Sequence, residues 1–208
     1  VFQKPTDYEK TYKIIIQNKL TCWINCPRRG WKIYTDIKKK IIKNKKFVMK
    51  ISGENWGLLS NSIHFIDLFI HLKNIKKYKV SFKKLIKKSF KSKRNNFTEM
   101  KGKIIFLSDQ KDKLVLEDTK KLKRKDLYIE FIQPKKYISF YQSELKDEYK
   151  LPLQSQETIK HLKNLDINKN CKLPLFVKTY QFHKFFYLKF DRYIKTKFSK
   201  SYKKILVT

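Results

Sequence analysis

Long apolar stretches are missing from this sequence. No apolar run approaches the roughly 18 to 20 residues that cross a bilayer, so we expect no transmembrane segment and no membrane partner. The first ten residues, VFQKPTDYEK, have neither the apolar core nor the cleavage site of a signal peptide. Hydrophobic residues nevertheless make up 41% of the chain. That share is enough for a packed core and argues against a disordered protein.

Arginine is scarce although the chain is strongly basic. There are five arginines among 51 basic residues, which leaves 51 − 5 = 46 lysines, and the formal net charge is +33. Such a charge predicts attraction to nucleic-acid phosphates, but readers of bases rely on the forked guanidinium of arginine. Lysine, isoleucine, asparagine, phenylalanine and tyrosine are enriched together while glycine and proline are scarce, as AT-rich codons produce. We therefore interpret most lysines as solvated surface residues, and nucleic-acid binding stays a lesser alternative.

Cysteine is limited to Cys22, Cys26 and Cys171, which form no CxxC pair. An odd number without a secretory signal favours a reducing compartment, so we expect a cytoplasmic protein. Cys22 and Cys26 lie in a short apolar stretch and are predicted to be buried thiols. No histidine or acidic residue is close to them in sequence, so we predict no metal site there.

Apolar spacings of three and four residues predict helices in both halves of the chain, while short runs rich in β-branched and aromatic residues predict strands. About five of these short runs fall between Lys76 and Tyr141, in the pattern of a meander. The order of elements predicts an α/β or α+β domain with an open, mostly antiparallel or mixed sheet and helices on one face. The predicted helices cover about 6–18, 31–41, 58–72, 155–165 (with Ser155 as N-cap) and 175–193, and two further strands are expected at 20–25 and 47–52.

One face of the predicted helix over 58–72 is polar. Offsets of three, four and seven residues place its members close together. A neutral imidazole there could serve as a general acid or base, with asparagine and aspartate fixing its tautomer. The alternative, which spacing alone favours, is a structural histidine bonded to the aspartate three residues on. A metal site would need a further ligand that cannot be placed, so no metal is predicted. The polar residues are Ser60, Asn61, His64, Asp67 and His71.

Two short segments beside this helix predict a ligand site. SGENWG, 52–57, leads into the helix N-terminus, where free N–H groups and the helix dipole can meet an anionic ligand. CPRRG, 26–30, follows a predicted strand end, where ligands collect in open α/β sheets. Its two arginines, Arg28 and Arg29, either bind such a ligand or form surface salt bridges.

The same segments resemble the Gfo/Idh/MocA family of NAD(P)-dependent sugar oxidoreductases. NCPRRGW at 25–31 and SGENWGLLSNSIHFIDLF at 52–69 are similar to a branch with NCPRR and SGxNWGLxxNxIHFIDLF motifs, often associated with surface-polysaccharide sugars. CKLPLFVKTYQFHKFF at 171–186 resembles the closing segment of that branch, in which a Cys, a Leu-Pro and a later His recur. The resemblance covers most of the chain, and it implies a Rossmann domain followed by an α/β domain with a large open sheet.

The resemblance also implies roles for single residues. His64 falls on the catalytic histidine, which exchanges a proton with the substrate hydroxyl as hydride passes to C4 of the nicotinamide. Asp67 falls on an acidic residue that we interpret as structural. The substrate-binding residues that the resemblance implies are Arg28, Arg29, Asn55, Trp56 and Asn61.

The sequence departs from the family pattern in three places. Ser60 stands where many relatives have an aspartate one helical turn before the histidine, and no GxGxxG turn is present. Lys4 in QKP resembles the lysine of the Glu-Lys-Pro motif beside the nicotinamide. The interval from Lys4 to Arg28 is about one helical turn short for that assignment. We therefore expect that lysine to precede Val1, with Lys4 as the alternative cofactor-binding residue.

These features predict the C-terminal part of a sugar or nucleotide-sugar oxidoreductase that uses NAD or NADP, with a role in surface-polysaccharide metabolism. We expect 1–27 to be the last helix and strand of a truncated dinucleotide-binding domain, and 28–208 to be the substrate-binding and oligomerisation domain. The partners are a sugar or nucleotide-sugar substrate and a second copy bound through the open sheet. The chain alone is expected to be inactive. A non-catalytic scaffold or oligomerisation domain is the alternative.

Overall fold

The computed structural model describes residues 2, 4–91, 98–119, 126–168 and 171–198, which contain a six-stranded sheet and the helices that cover it. The helices are α1 (Pro5–Gln17), α2 (Lys32–Lys40), α3 (Leu58–Lys73), α4 (Gln154–Asn168) and α5 (Phe176–Phe198). The strands are β1 (Val48–Gly53), β2 (Tyr78–Lys91), β3 (Thr98–Ser108), β4 (Lys113–Asp118), β5 (Tyr128–Gln133) and β6 (Lys136–Tyr141). Single-turn 3-10 helices span Pro27–Gly30, Gln142–Glu144 and Asp147–Tyr149.

The sheet has the strand order β2-β3-β4-β1-β5-β6. β1 runs parallel to β4 and antiparallel to β5, and the other neighbouring pairs are antiparallel. The predicted open, mixed sheet is therefore confirmed. The five strands after α3 do not form one meander, however, because β1 is inserted between β4 and β5.

The apolar core lies on one face of this sheet. Met49 and Ile51 of β1 are in register with Leu114 and Leu116 of β4, and all four are fully buried. Lys50, between the two β1 residues, points to the opposite face and is partly exposed. α3 packs against β3 and β4, and α5 packs against β2 and α1. The prediction of helices on one face is confirmed, and each core side chain contributes about 1.5–3 kcal/mol through burial.

Two local predictions were wrong. The segment 20–25 is not a strand of the sheet. Its backbone pairs instead with the residues just before α5, through a single bridge between Trp23 and Leu175. The Phe176 N–H donates to the Cys22 carbonyl at 2.8 Å as part of the same contact. α4 begins at Gln154, one residue before Ser155, the predicted N-cap. In the described ranges, no helix is both long and apolar enough to cross a membrane.

Candidate functional site

The residue before α3 is a glycine in a backbone conformation that other residues rarely adopt. Gly57 has φ of 76°, in the left-handed region. A Cβ on Gly57 would lie 2.6 Å from Ser60 Oγ and 2.9 Å from Asn61 Nδ2. The close approach fixes the angle at which the loop after β1 enters the helix.

Two of the predicted substrate-binding residues hold that loop in place. The Trp56 indole packs edge-on against Phe65 at 5.6 Å between ring centroids, and its Nε1 donates to the Glu117 carbonyl at 3.0 Å. Asn61 Nδ2 donates to the Trp56 carbonyl at 2.7 Å. Asn55 differs from both, because it is exposed in the loop between β1 and α3.

The N-terminus of α3 is occupied by a carboxylate of the protein. Glu99 on β3 accepts hydrogen bonds from the Leu59 N–H at 3.0 Å and from the Ser60 N–H at 3.1 Å. Glu99 is 3% exposed, so the prediction that this helix end is free to meet an anionic ligand was wrong. Sequence reasoning missed Glu99 because its partners lie on another element, about 40 residues away, without any local signal.

Arg29 is paired with the aspartate of α3. Its Nε donates to Asp67 Oδ2 at 2.8 Å, and its Nη2 donates to Oδ1 at 2.5 Å. Burial raises the pKa of Asp67 to about 6, against the opposing effect of Arg29, so the carboxyl is ionised at neutral pH. The hydrogen bond between His64 and Asp67 that spacing favoured is therefore replaced by a buried ion pair.

Arg28 is held by aromatic and polar neighbours. Its guanidinium lies 4.2 Å from the Phe65 ring centroid and 5.0 Å from that of Trp31. Its Nη1 donates to Gln142 Oε1 at 3.2 Å and to the Tyr34 hydroxyl at 3.4 Å. Only 8% of Arg28 is exposed, and the side chain holds the 3-10 turn against α3. Its contact with substrate stays a prediction.

His64 is half-buried, and its Nδ1 is buried without a hydrogen-bond partner among the described residues. The pKa of His64 is lowered to about 4, mainly by burial and in part by the nearby positive charge of Arg28. The imidazole is therefore neutral at pH 7. A neutral imidazole on a rigid helix can accept a proton from a bound hydroxyl.

A second histidine, His183 on α5, is also buried, without partners among the described residues. It is fully buried, and neither ring nitrogen has a hydrogen-bond partner within the described part of the chain. Burial lowers the pKa of His183 to about 3, and the neighbouring His64 and Arg29 act in the same direction. His183 was not among the predicted site residues, although it is the histidine of the closing segment that resembles the family.

His71, two turns after His64, has different surroundings. Lys38 Nζ lies 3.0 Å from His71 Nε2. Burial lowers the pKa of His71 to about 4, and Lys38 and Arg29 add to the effect. Asp67 lies between the two histidines in sequence but faces Arg29. Across the residues that the structure describes, no three His, Cys, Asp or Glu side chains are grouped to hold a metal ion.

The N-terminal candidates lie on or beside α1. Lys4 is exposed at the N-cap position, immediately before Pro5 begins the helix. Its role at a cofactor stays a prediction. Cys26 is fully buried, and burial raises the pKa of its thiol, so it stays protonated and unreactive at neutral pH. Cys22 is only partly buried, so the expectation of two buried thiols is confirmed for Cys26 alone.

Comparison with known protein families gives no match, and comparison with curated proteins gives none either. Similar solved structures include a dehydrogenase from Chromobacterium violaceum, 8% identical with a TM-score of 0.46, where the match covers 67% of this chain and 44% of that one. They also include the WlbA (WbpB) dehydrogenase from Thermus thermophilus, solved in complex with NAD and alpha-ketoglutarate. It is 11% identical with a TM-score of 0.48, and the match covers 78% of this chain and 55% of that one. The chain thus spans about half the length of these two dehydrogenases.

Proposed function

We propose that this chain is the substrate-binding part of an oxidoreductase that transfers hydride between NAD(P) and a secondary alcohol or ketone of a sugar or nucleotide sugar. The observation that carries the proposal is His64. It is a neutral, half-buried imidazole with Nδ1 buried, which leaves Nε2 as the nitrogen to meet a ligand. The NCPRR and IHFIDLF motifs support the same assignment by their resemblance to sugar oxidoreductases.

The cofactor does not fit this chain by itself. A dinucleotide pyrophosphate is held by a glycine-rich turn and a free helix N-terminus, but the sequence has no GxGxxG and Glu99 fills the N-terminus of α3. We propose that the residues that bind the pyrophosphate belong to another part of the whole protein. Residues 1–27 would then join that part to the substrate domain 28–208, and the chain alone would be inactive.

The chain's own contribution is the proton transfer. His64 Nε2 accepts the proton of the substrate hydroxyl while the carbon is oxidised, and it returns a proton in the reverse reaction. The low pKa of His64 keeps the imidazole in its basic form across the neutral range. The Arg29–Asp67 ion pair joins the 3-10 turn Pro27–Gly30 to α3, and so holds the side of the site next to His64.

His64→Gln in the full-length protein encoded by the gene tests this assignment. Loss of general acid–base catalysis is expected to lower kcat/KM about 10²- to 10⁴-fold, with little change in the thermal midpoint. UDP-glucose and UDP-N-acetylglucosamine with NAD or NADP are suitable probes. His71→Gln, on the same helix, is the matched control and should retain activity. Full activity of the His64→Gln enzyme would remove His64 from the mechanism.

The second candidate function is a non-catalytic oligomerisation domain. It is favoured by the sheet face opposite the helices, where Leu107 is 44% exposed and Tyr137 is 56% exposed, and by Ser60 in place of an acid. We propose that a second copy covers this face in the enzyme as well, and that the enzyme is cytoplasmic. The mass in solution, compared with the 25.4 kDa monomer, tests the assembly separately from catalysis.

A further inference from the structure

The end of the sheet opposite the candidate site is strongly basic. β1 and β4 both begin there, with Val48 opposite Lys113. β5 turns into β6 at the same end, and β2 begins there opposite the last residue of β3. We call the exposed lysines of the segments that meet there the basic end. They are Lys38, Lys39, Lys40, Lys43, Lys45, Lys46, Lys76, Lys77, Lys111 and Lys135.

Few carboxylates accompany the basic end. The structure describes all of the segments that carry these lysines, and within the segments Asp109 is the one exposed acidic residue. Asp112 is buried, where it accepts a hydrogen bond from the Phe47 N–H at 2.8 Å. Lys39 pairs with Asp36 on α2 at 3.4 Å. Most of the positive charge is therefore not cancelled locally, so this surface attracts anions.

The loop before β1, which carries part of the basic end, is held from beneath by two buried side chains. The Gln133 amide accepts a hydrogen bond from the Ile42 N–H and donates one to the Ile42 carbonyl, both at 2.9 Å. Lys73 Nζ donates to the carbonyls of Lys43 and Lys45 at 2.5 and 3.1 Å. The Ile42 side chain is 46% exposed. A fixed loop thus presents an apolar side chain among lysines.

The residue types of this surface suit a lipid bilayer better than a nucleic acid. All five arginines lie outside the basic end, and its segments contain no aromatic residue. Readers of bases rely on arginine, and binders of single strands rely on aromatic stacking. Lysines beside an exposed apolar side chain suit the boundary between anionic headgroups and acyl chains.

We propose that the basic end binds the anionic headgroups of a lipid bilayer from the side, with Ile42 at the level of the headgroups. His64 and the N-terminus of α3 then lie at the end of the molecule away from the bilayer. This contact needs no membrane-spanning helix, so it revises the expectation that the chain has no membrane partner. It suits the proposed cytoplasmic location, because the cytoplasmic leaflet carries anionic lipids.

Flotation of the 208-residue chain with lipid vesicles tests the proposal. The vesicles are phosphatidylcholine with about one-third phosphatidylglycerol, at about 0.1 M salt. The basic-end variant replaces Lys43, Lys45, Lys46, Lys111 and Lys135 with glutamine. Each lysine near an anionic surface strengthens binding about fivefold, so this variant should bind at least about 100-fold more weakly than the wild type.

The matched control variant replaces five exposed lysines on α1 and around the start of α5 with glutamine. They are Lys10, Lys13, Lys19, Lys172 and Lys178. Each variant has a net charge of 33 − 5 = +28, so a difference between them reports where the charge lies. The control variant should keep most of the wild-type affinity, because charges beyond a Debye length of the bilayer are screened.

Two further measurements separate the parts of the contact. Ile42→Ser removes apolar contact alone and should weaken binding about three- to tenfold. Wild-type binding should be lost as the salt rises to about 1 M, where the Debye length falls to about 3 Å. Binding that survives this salt, or that is equally strong on pure phosphatidylcholine, would overturn the proposal.

Equal binding by the basic-end and control variants would overturn it as well. Generic duplex DNA is the competing probe. If the wild-type chain binds the duplex but not the anionic vesicles, the basic end is a nucleic-acid surface and the proposal is wrong. None of these readouts uses turnover, so their outcome is independent of the acid–base role of His64.

Discussion

Asp67 and His64 lie one turn apart on α3, yet their surroundings are opposite. Both oxygens of Asp67 are bound by Arg29, whereas the buried nitrogen of His64 has no partner among the described side chains. A satisfied buried ion pair stabilises one arrangement of the elements that it joins. A buried polar atom left unsatisfied costs stability and is therefore a candidate for function. On the same face of α3, Asp67 therefore has a structural role, whereas His64 is the candidate for chemistry.

Breaking the ion pair between Arg29 and Asp67 should have the largest effect on stability. Arg29→Met leaves the Asp67 carboxylate buried without its partner, which is expected to lower the free energy of unfolding by about 3–5 kcal/mol. Urea unfolding followed by circular dichroism measures the change. The double variant Arg29→Met with Asp67→Leu removes both charges and should recover most of the loss. A loss below about 1 kcal/mol in the single variant would show that the pair is solvated.

The burial of the neutral His183 should appear as a dependence of stability on pH. His183 has a pKa of about 3 in the folded chain, below the ordinary value of about 6.5. The unfolded chain therefore takes up a proton as the pH falls below 6.5, while the folded chain does not. The stabilisation by neutral His183 is complete above pH 6.5 and is lost progressively toward pH 3. Asp67, whose pKa is raised to about 6, acts in the opposite direction.

His183→Phe isolates this contribution, because Asp67 is present in both proteins. Between pH 7 and pH 5 the wild-type chain should lose about 1–2 kcal/mol more unfolding free energy than the variant. Guanidinium unfolding at several pH values gives the two curves. Tyr180→Phe on the same helix should follow the wild-type curve. Parallel curves for wild type and His183→Phe would mean that His183 is not held neutral by burial.

Removing the carboxylate at the start of α3 should have a smaller effect than breaking the Arg29–Asp67 ion pair. Glu99→Gln keeps the shape but loses the negative charge at the helix N-terminus, which is expected to lower the unfolding free energy by about 1–2 kcal/mol. Glu117→Gln on the neighbouring strand is the control. Its ion pair with Lys103 is partly exposed, so the cost should be about 0.2–1 kcal/mol. Equal losses in the two variants would argue against a capping role for Glu99.

The sequence predicted those features of the site that depend on neighbouring residues, and it missed those that depend on contacts between distant segments. The extent of α3 and the shared face of His64 and Asp67 follow from the helical period, and the structure has both. The partner of Asp67 could not be read from that period, because Arg29 is 38 residues away. Glu99 was missed for the same reason. The substrate contacts of Trp56 and Asn61 stay predictions, and the structure adds that their polar groups hold the loop before α3.

The fold shows the same division. Apolar spacings of three and four residues predicted the five helices, and short runs rich in β-branched and aromatic residues predicted the strands of the sheet. They could not predict that β1 lies between β4 and β5, since strand order depends on pairing between distant segments.

The sequence by itself determined the elements of this protein, because helical and strand periods are properties of neighbouring residues. It also determined the candidate histidine, through the IHFIDLF motif and its resemblance to sugar oxidoreductases. Only the tertiary structure decided which polar groups are paired. Arg29 meets Asp67, Glu99 caps α3, and Tyr8 packs against His183. Burial and distance between remote segments set these outcomes, and both exist only once the chain is folded.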